Sequence, residues 1–288
     1  MAKILIIADQ DKRCVAIQRG LELAEKLGCS VDVVAFAYTS LKPLKLKAAQ
    51  RTLVKKRLLS EREAEVQQRI DQHKSKEQKV KLALVWEKDI APWVIKHCSR
   101  PYDAVVKTGH RSESFTYTST DWQLLRECPR PVLIVADKKW HRTKPVLATV
   151  DLGSKIPEKM ALNHEVIIKG KAYAAALKTD LRIITAIEVP KVLADLDLVN
   201  PADYVKEIKQ EMKPRIKQLA EAHDLPKGLF RVKKGPIHKV ICSDAAKQRA
   251  QLVIMGTVGR RGITARLLGN TAESVLRHLR TDVLAVKL

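Results

Sequence analysis

Three glycines spaced as Gly256-x2-Gly259-x9-Gly269, with Asn270 directly after them, are the residues of this chain best placed to do chemistry. Glycine lets backbone amides approach an anion closely, and a helix start adds unbonded N–H groups and partial positive charge. Ahead of the loop, Leu252-Val253-Ile254-Met255 is an apolar run that reads as a buried parallel strand. Behind it, Asn270-Thr271-Ala272-Glu273 reads as a helix start, with Asn270 as the cap and Glu273 as its capping-box partner. Arg260, Arg261 and Arg266 lie inside the loop, where a phosphate would want countercharge. Glycines in a loop also serve ordinary turns. The complete order of strand, glycine loop and capped helix favours a phosphate over a plain turn.

The stretch from Gly256-Thr257-Val258-Gly259-Arg260-Arg261-Gly262-Ile263 through Leu268-Gly269-Asn270-Thr271-Ala272-Glu273 resembles the nucleotide-binding motif of universal stress proteins. In that motif G-x2-G-x9-G is followed by a small polar residue. All three glycines match, and Asn270 stands where many members have Ser. The likeness continues into a last strand, Val283-Leu284-Ala285-Val286. Upstream, Thr120-Asp121-Trp122-Gln123-Leu124-Leu125-Arg126 with Pro129-Arg130-Pro131-Val132 is similar to the end of the first domain in the tandem-domain members.

The resemblance implies an α/β fold of two tandem, doubly wound domains, each a five-stranded parallel sheet in strand order 3-2-1-4-5. It implies ATP or a related nucleotide in the second half, and a part in stress survival as a sensor or switch rather than a fast enzyme. By it Gly256, Gly259, Gly269, Asn270 and Thr271 would hold ribose and phosphates, with Met255 and Arg260 beside them. Asp151 would line the nucleoside end of the crevice, and Ile184 to Ile187 would help to wall it. Mg²⁺ would accompany a triphosphate, although no dedicated carboxylate cluster is visible in the sequence. Slow ATP hydrolysis fits the family, but the sequence names no catalytic base.

The elements that must position these residues occur twice. Ile4-Leu5-Ile6-Ile7-Ala8-Asp9 parallels Val146-Leu147-Ala148-Thr149-Val150-Asp151. Leu124-Leu125-Arg126 followed by Pro131-Val132-Leu133-Ile134-Val135 parallels Val275-Leu276-Arg277 followed by Asp282-Val283-Leu284-Ala285-Val286. The 288 residues suit one α/β domain copied once, with boundaries at 1–143 and 144–288 and the polar Trp140-to-Pro145 stretch as linker. Strands are expected near 3–8, 31–37, 80–86, 103–107 and 131–135, with a long helix from about Lys45 to Lys74. In the second half they are expected near 145–150, 181–187, 229–233, 251–255 and 282–287, with helices near 158–178, 203–223, 236–248 and 270–280. Asp9 and Asp151 close strand 1 of each half, at the switch point between strands 1 and 4 where such sheets bind ligands, so both are expected to point at the crevice. Pairing of the apolar last strands would join the halves as an internal pseudo-dimer, as single-domain relatives dimerise, with a homodimer of whole chains as a further arrangement.

The first half has lost the glycine loop. Lys107-Thr108-Gly109 aligns with Met255-Gly256-Thr257 and Thr120 with Thr271, so Thr108, Arg111 and Thr118 replace the three glycines in a segment three residues shorter. Nucleotide is therefore expected in the second half alone.

Composition narrows the rest. Hydrophobic content of 45% is ordinary for a soluble α/β protein, and no apolar run reaches membrane-spanning length. Strand 1 is expected to begin almost at the first residue, so no signal peptide is expected. Five scattered cysteines without a C-x-x-C pair read as buried thiols of a cytoplasmic protein. Dispersed histidines give no zinc pattern, and neither a P-loop nor a G-x-G-x-x-G fingerprint is present. A net charge of +22, shared almost equally by the halves, is not explained by the family likeness. Lys42, Lys45, Lys47, Arg51, Lys55, Lys56 and Arg57 form its densest cluster, with no acid between Asp32 and Glu61. That cluster is either a solvated helix face or a surface for an anionic partner, so the alternative reading is a basic scaffold binding a polyanion such as nucleic acid. A nucleotidyl-transferring enzyme of the wider doubly wound superfamily is a third reading, without the acidic or lysine motifs such enzymes use.

Overall fold

The computed structural model describes residues 2–10, 14–109, 119–136, 144–257 and 268–288, and in it the apolar runs become parallel strands that alternate with helices. The first unit runs β1 (Lys3–Ala8), α1 (Val15–Leu27), β2 (Ser30–Ala37), α2 (Ala48–His73), β3 (Val80–Trp86), α3 (Ile90–His97), β4 (Ala104–Thr108), α4 (Ser119–Glu127) and β5 (Val132–Val135). The second runs β6 (Val146–Thr149), α5 (Pro157–Ala176), β7 (Leu181–Ile187), α6 (Lys191–Asp195), α7 (Pro201–Ala222), β8 (Phe230–Lys234), α8 (Ile237–Lys247), β9 (Leu252–Gly256), α9 (Asn270–His278) and β10 (Asp282–Val286).

Strand order is β3-β2-β1-β4-β5 in the first unit and β8-β7-β6-β9-β10 in the second, so each has the order 3-2-1-4-5. Every pairing within a unit is parallel. Strands covered by helices on both faces need no polar side, which is why β1 and β6 read as continuous apolar runs. Ile4, Ile6 and Ile7 are fully buried, as are Val146, Leu147 and Ala148. The two units repeat finer detail as well. The residue after strand 4 is tied to the end of strand 5 in both, by Gly109 N–H to the Val135 carbonyl (2.9 Å) and by Thr257 N–H to the Val286 carbonyl (3.0 Å).

Local signals set most element ends. Gly28 ends α1 in the left-handed region (φ 66°), and Cys29 N–H reaches back to the Ala24 carbonyl at 2.8 Å. Asn200 caps α7, its Oδ1 accepting from Ala202 N–H at 2.8 Å, with Pro201 in the first turn. Helix α6 is an element the sequence pattern had not announced; one turn of five residues is too short to display a period.

Candidate functional site

In the second unit, β6 stops at Thr149, with Ile184 of β7 beside it on one side and Met255 of β9 on the other. Asp151 and Gly256 therefore leave the sheet from neighbouring strands at the same edge. A hydrogen-bonded frame fixes the turn carrying Asp151. Asn163 of α5 accepts the Asp151 N–H (2.8 Å) and donates to its carbonyl (2.9 Å). Arg215 of α7 donates through Nη1 to the carbonyls of Leu152 and Ser154, both at 2.6 Å. The Asp151 side chain is 49% exposed and meets Ser154 N–H and the Lys159 ammonium, each at 3.1 Å. The result is a rigidly mounted carboxylate facing solvent with one half-exposed lysine upon it.

Gly256, beside it, has a structural reason to lack a side chain. A Cβ there would lie 2.6 Å from Leu162 Cγ of α5, closer than packed carbons come. Gly259 and Arg260 lie outside the described residues, as do Arg261 and Arg266. The chain is described again from Leu268, which is buried.

Helix α9 follows, and its start corrects the expected cap. Gly269 is the N-cap, Asn270 is already the first helical residue, and Glu273 pairs with Arg277 at 2.7 Å instead of closing a capping box. The reason is positional: a side chain one residue inside the helix no longer faces the amides beyond it. The first intrahelical bond is Glu273 N–H to the Gly269 carbonyl, so the amides of Asn270, Thr271 and Ala272 have no carbonyl within the helix. Asn270 and Thr271 are exposed. Ile184, Ile187 and Met255 are almost wholly buried and form the apolar layer beneath the edge.

The same edge of the first unit is filled. Lys107, at the position of Met255, sends its ammonium to Asp121 Oδ1 (2.8 Å) and Asp9 Oδ1 (3.3 Å), and all three side chains are buried. Asp9 Oδ2 also accepts Thr108 N–H (3.3 Å). From α2, Arg62 donates through Nη2 to the carbonyls of Asp9 (2.6 Å) and Ala8 (3.1 Å). Burial alone would push the Lys107 ammonium down, but the carboxylates of Asp9 and Asp121 outweigh it and hold it above the usual lysine range. Burial, reinforced by the Asp9 charge, pushes the Cys14 thiol up. Asp9 thus corrects the expectation that both strand-1 aspartates point into a crevice. Its carboxylate is turned into an internal ion pair because β4 supplies a lysine where β9 supplies a methionine. Thr108, at the position of Gly256, is also occupied: its Oγ1 accepts the N–H groups of Val15 (3.1 Å) and Ala16 (3.0 Å) at the start of α1.

Sequence reading missed Lys107, Asp121, Arg62 and Arg215. The signals were there. Lys107 closes the apolar strand Ala104-Val105-Val106, and Arg62 begins the buried stripe Arg62, Val66, Ile70 of α2. Among the described residues no group of three or more His, Cys, Asp or Glu side chains could hold a metal ion. Nor is any helix among them long and apolar enough to cross a membrane.

A family model described as the universal stress protein family matches residues 1–136 and again 143–287. Universal stress protein E of Escherichia coli strain K12 is 30% identical over 99% of this chain and 92% of its own length. Its homologue from Haemophilus influenzae is 27% identical over 99% of this chain and 96% of its own. Two solved structures share the fold from end to end. A putative universal stress protein from Pseudomonas aeruginosa UCBPP-PA14 has a TM-score of 0.73 at 21% identity, covering 100% of this chain and 93% of that one. One from Archaeoglobus fulgidus has a TM-score of 0.65 at 20% identity, covering 99% and 98%. With the domain present twice and likeness over its whole length, the chain belongs to the universal stress protein family as a tandem member.

Proposed function

We propose that the second unit binds ATP or a related nucleotide at the edge formed by β6, β9 and the start of α9, and that the protein uses this site as a sensor or switch in stress resistance. The observation that carries this reading is the contrast at strand 1: Asp151 is held out to solvent where Asp9 is locked in ion pairs. A mounted, exposed carboxylate suits the hydroxyls of a ribose. Unbonded amides at Asn270, Thr271 and Ala272 suit phosphate oxygens. Gly256, Gly259, Arg260 and Gly269 complete that motif in sequence, and Met255, Ile184 and Ile187 would underlie the base. These residues fit a nucleoside polyphosphate in kind. Mg²⁺ would be held mainly by the phosphates; Asp151 could share it only by releasing Lys159. Among the described residues of the edge none is placed as a catalytic base, and the reading is one of binding and signalling.

The same proposal sets the domain boundaries at 1–143 and 144–288 and locates the protein in the cytoplasm. Cys14, Cys29, Cys98, Cys128 and Cys242 are in no disulfide, which suits a reducing compartment.

The test is thermal melting of the full chain with and without ATP, for wild type and Gly259→Val. A β-branched side chain in a loop approached by phosphate should remove the ATP-induced rise in Tm while costing only about 1–3 kcal/mol of fold stability. A variant that melts lower yet keeps the full ATP-induced rise would overturn the phosphate-loop assignment.

A further inference from the structure

One part of the first unit plays no role at the sheet edge described above. From Leu41 to Ser60 the chain carries seven cations and no acid. It forms a 3-10 turn at Lys42–Leu44 and the N-terminal half of α2, and none of its residues is buried. The first buried residue of α2 is Arg62. The residues from Ala48 to Glu61 therefore make an arm of about 20 Å in which no side chain is buried.

The cations surround this arm. The inward face of α2 is marked by Arg62, Val66 and Ile70. Arg51 and Lys55 continue that face, while the 100° step per residue swings Lys56 and Arg57 to other sides. A flat anionic membrane rewards cations gathered on one side of an apolar stripe. Here the large exposed apolar side chains are Leu44 (58% exposed) and Leu53 (67%), and the 100° step puts Leu53 on the far side of α2 from Lys55. Phosphates that follow a strand around a helix reward the distribution seen. Midway along the arm, Lys55 Nζ lies 5.6 Å from the Trp86 ring centroid, and Tyr38, 44% exposed, lies 5.8 Å from Trp86. Aromatic side chains beside a cationic arm are the combination that receives bases alongside phosphates.

The matching helix of the second unit lacks this character. In α7, Lys206, Lys209, Lys213, Arg215 and Lys217 are interleaved with Asp203, Glu207, Glu211 and Glu221. Of these two helices, α2 with its preceding turn carries the longer run of cations without acids between them. We propose that this arm binds the phosphate backbone of nucleic acid without selecting sequence, a function separate from the nucleotide site of the second unit.

Fluorescence anisotropy of the full chain, with a labelled mixed-sequence duplex and with one of its strands, tests this across a salt series. Lys42→Gln/Lys55→Gln/Lys56→Gln should weaken binding about tenfold or more at low salt. It should also flatten the plot of log affinity against log salt by about three units, one for each phosphate that a lysine no longer neutralises. Lys206→Gln/Lys209→Gln/Lys213→Gln, which changes net charge equally, should stay within about twofold of wild type. Equal weakening by the two triple variants would overturn the proposal, because the effect would then belong to net charge alone. So would binding of wild type to phosphatidylserine vesicles with none to either nucleic acid.

Discussion

Asp9 and Asp151 stand at the same place in two copies of one fold and have opposite fates. Each follows strand 1, and in each unit an arginine from a long helix holds carbonyls there, Arg62 those of Ala8 and Asp9 and Arg215 those of Leu152 and Ser154. The difference lies across the sheet. Where the first unit has Lys107 on β4 and Asp121 on α4, the aligned residues of the second are Met255 and Ala272. With the lysine present, the aspartate closes an internal network; without it, the carboxylate turns outward. Absence of the glycine motif and presence of the ion pair go together, so the edge without the motif is held by charges of its own.

The largest expected effect comes from breaking that network. Lys107→Met copies the second unit's residue into the first and leaves two buried carboxylates without their cation. Stability in a denaturant titration should fall by about 3–5 kcal/mol. Asp9→Asn and Asp121→Ala added to it should recover most of the loss; failure to recover would mean the network is not what Lys107 serves. The contribution of a raised lysine is full below the unfolded value of about 10.4 and fades as pH rises through the higher folded value, so the comparison belongs at neutral pH.

Next in size is Gly256→Ala. Its new methyl group would press on Leu162, and overpacking of that kind costs about 1–3 kcal/mol. Leu162→Ala should make the substitution better tolerated. A Gly256→Ala chain as stable as wild type would show that α5 shifts freely at this point. The reciprocal change, Thr108→Gly, removes the hydroxyl acceptor from the start of α1 and should cost about 0.5–2 kcal/mol. Helix α5 has less need of such an acceptor, since Pro157 in its first turn has no N–H to satisfy.

How far the sequence alone revealed this asymmetry follows from the range of the forces involved. The strands were legible because burial on both faces makes them uniformly apolar, and duplication was legible because strand 1, helix 4 and strand 5 repeat in order. The glycine loop announced itself by spacing. What stayed hidden was pairing at a distance. Nothing local tells Lys107 that Asp9, just past the neighbouring strand β1, and Asp121, on α4, lie next to it in the fold. The cap of α9 was misread by one residue, because Asn270 suits both the cap and the first turn. Gly256 was read as a phosphate contact from sequence, and only packing revealed that Leu162 needs its missing side chain.

The smallest effect expected is on pH. His223 caps the end of α7 and meets His164 Nδ1 through Nε2 at 2.9 Å. Burial first, then the neighbouring His164 and Lys171, pulls the His223 imidazolium below the usual histidine range. The folded chain therefore binds a proton there less readily than the unfolded one, so stability is full above about pH 6.5 and declines as pH falls below it. His223→Gln should flatten this part of a plot of Tm against pH. An unchanged slope would assign the pH dependence elsewhere.

The sharpest test of the difference between the units is photoaffinity labelling of the intact chain with 8-azido-ATP, followed by peptide mapping, with excess ATP as competitor. The account predicts competable label only in peptides from residues 144–288, lost in Asp151→Ala and in Gly259→Val. Competable label in peptides from residues 1–143, or label in the second unit that both variants retain, would contradict it.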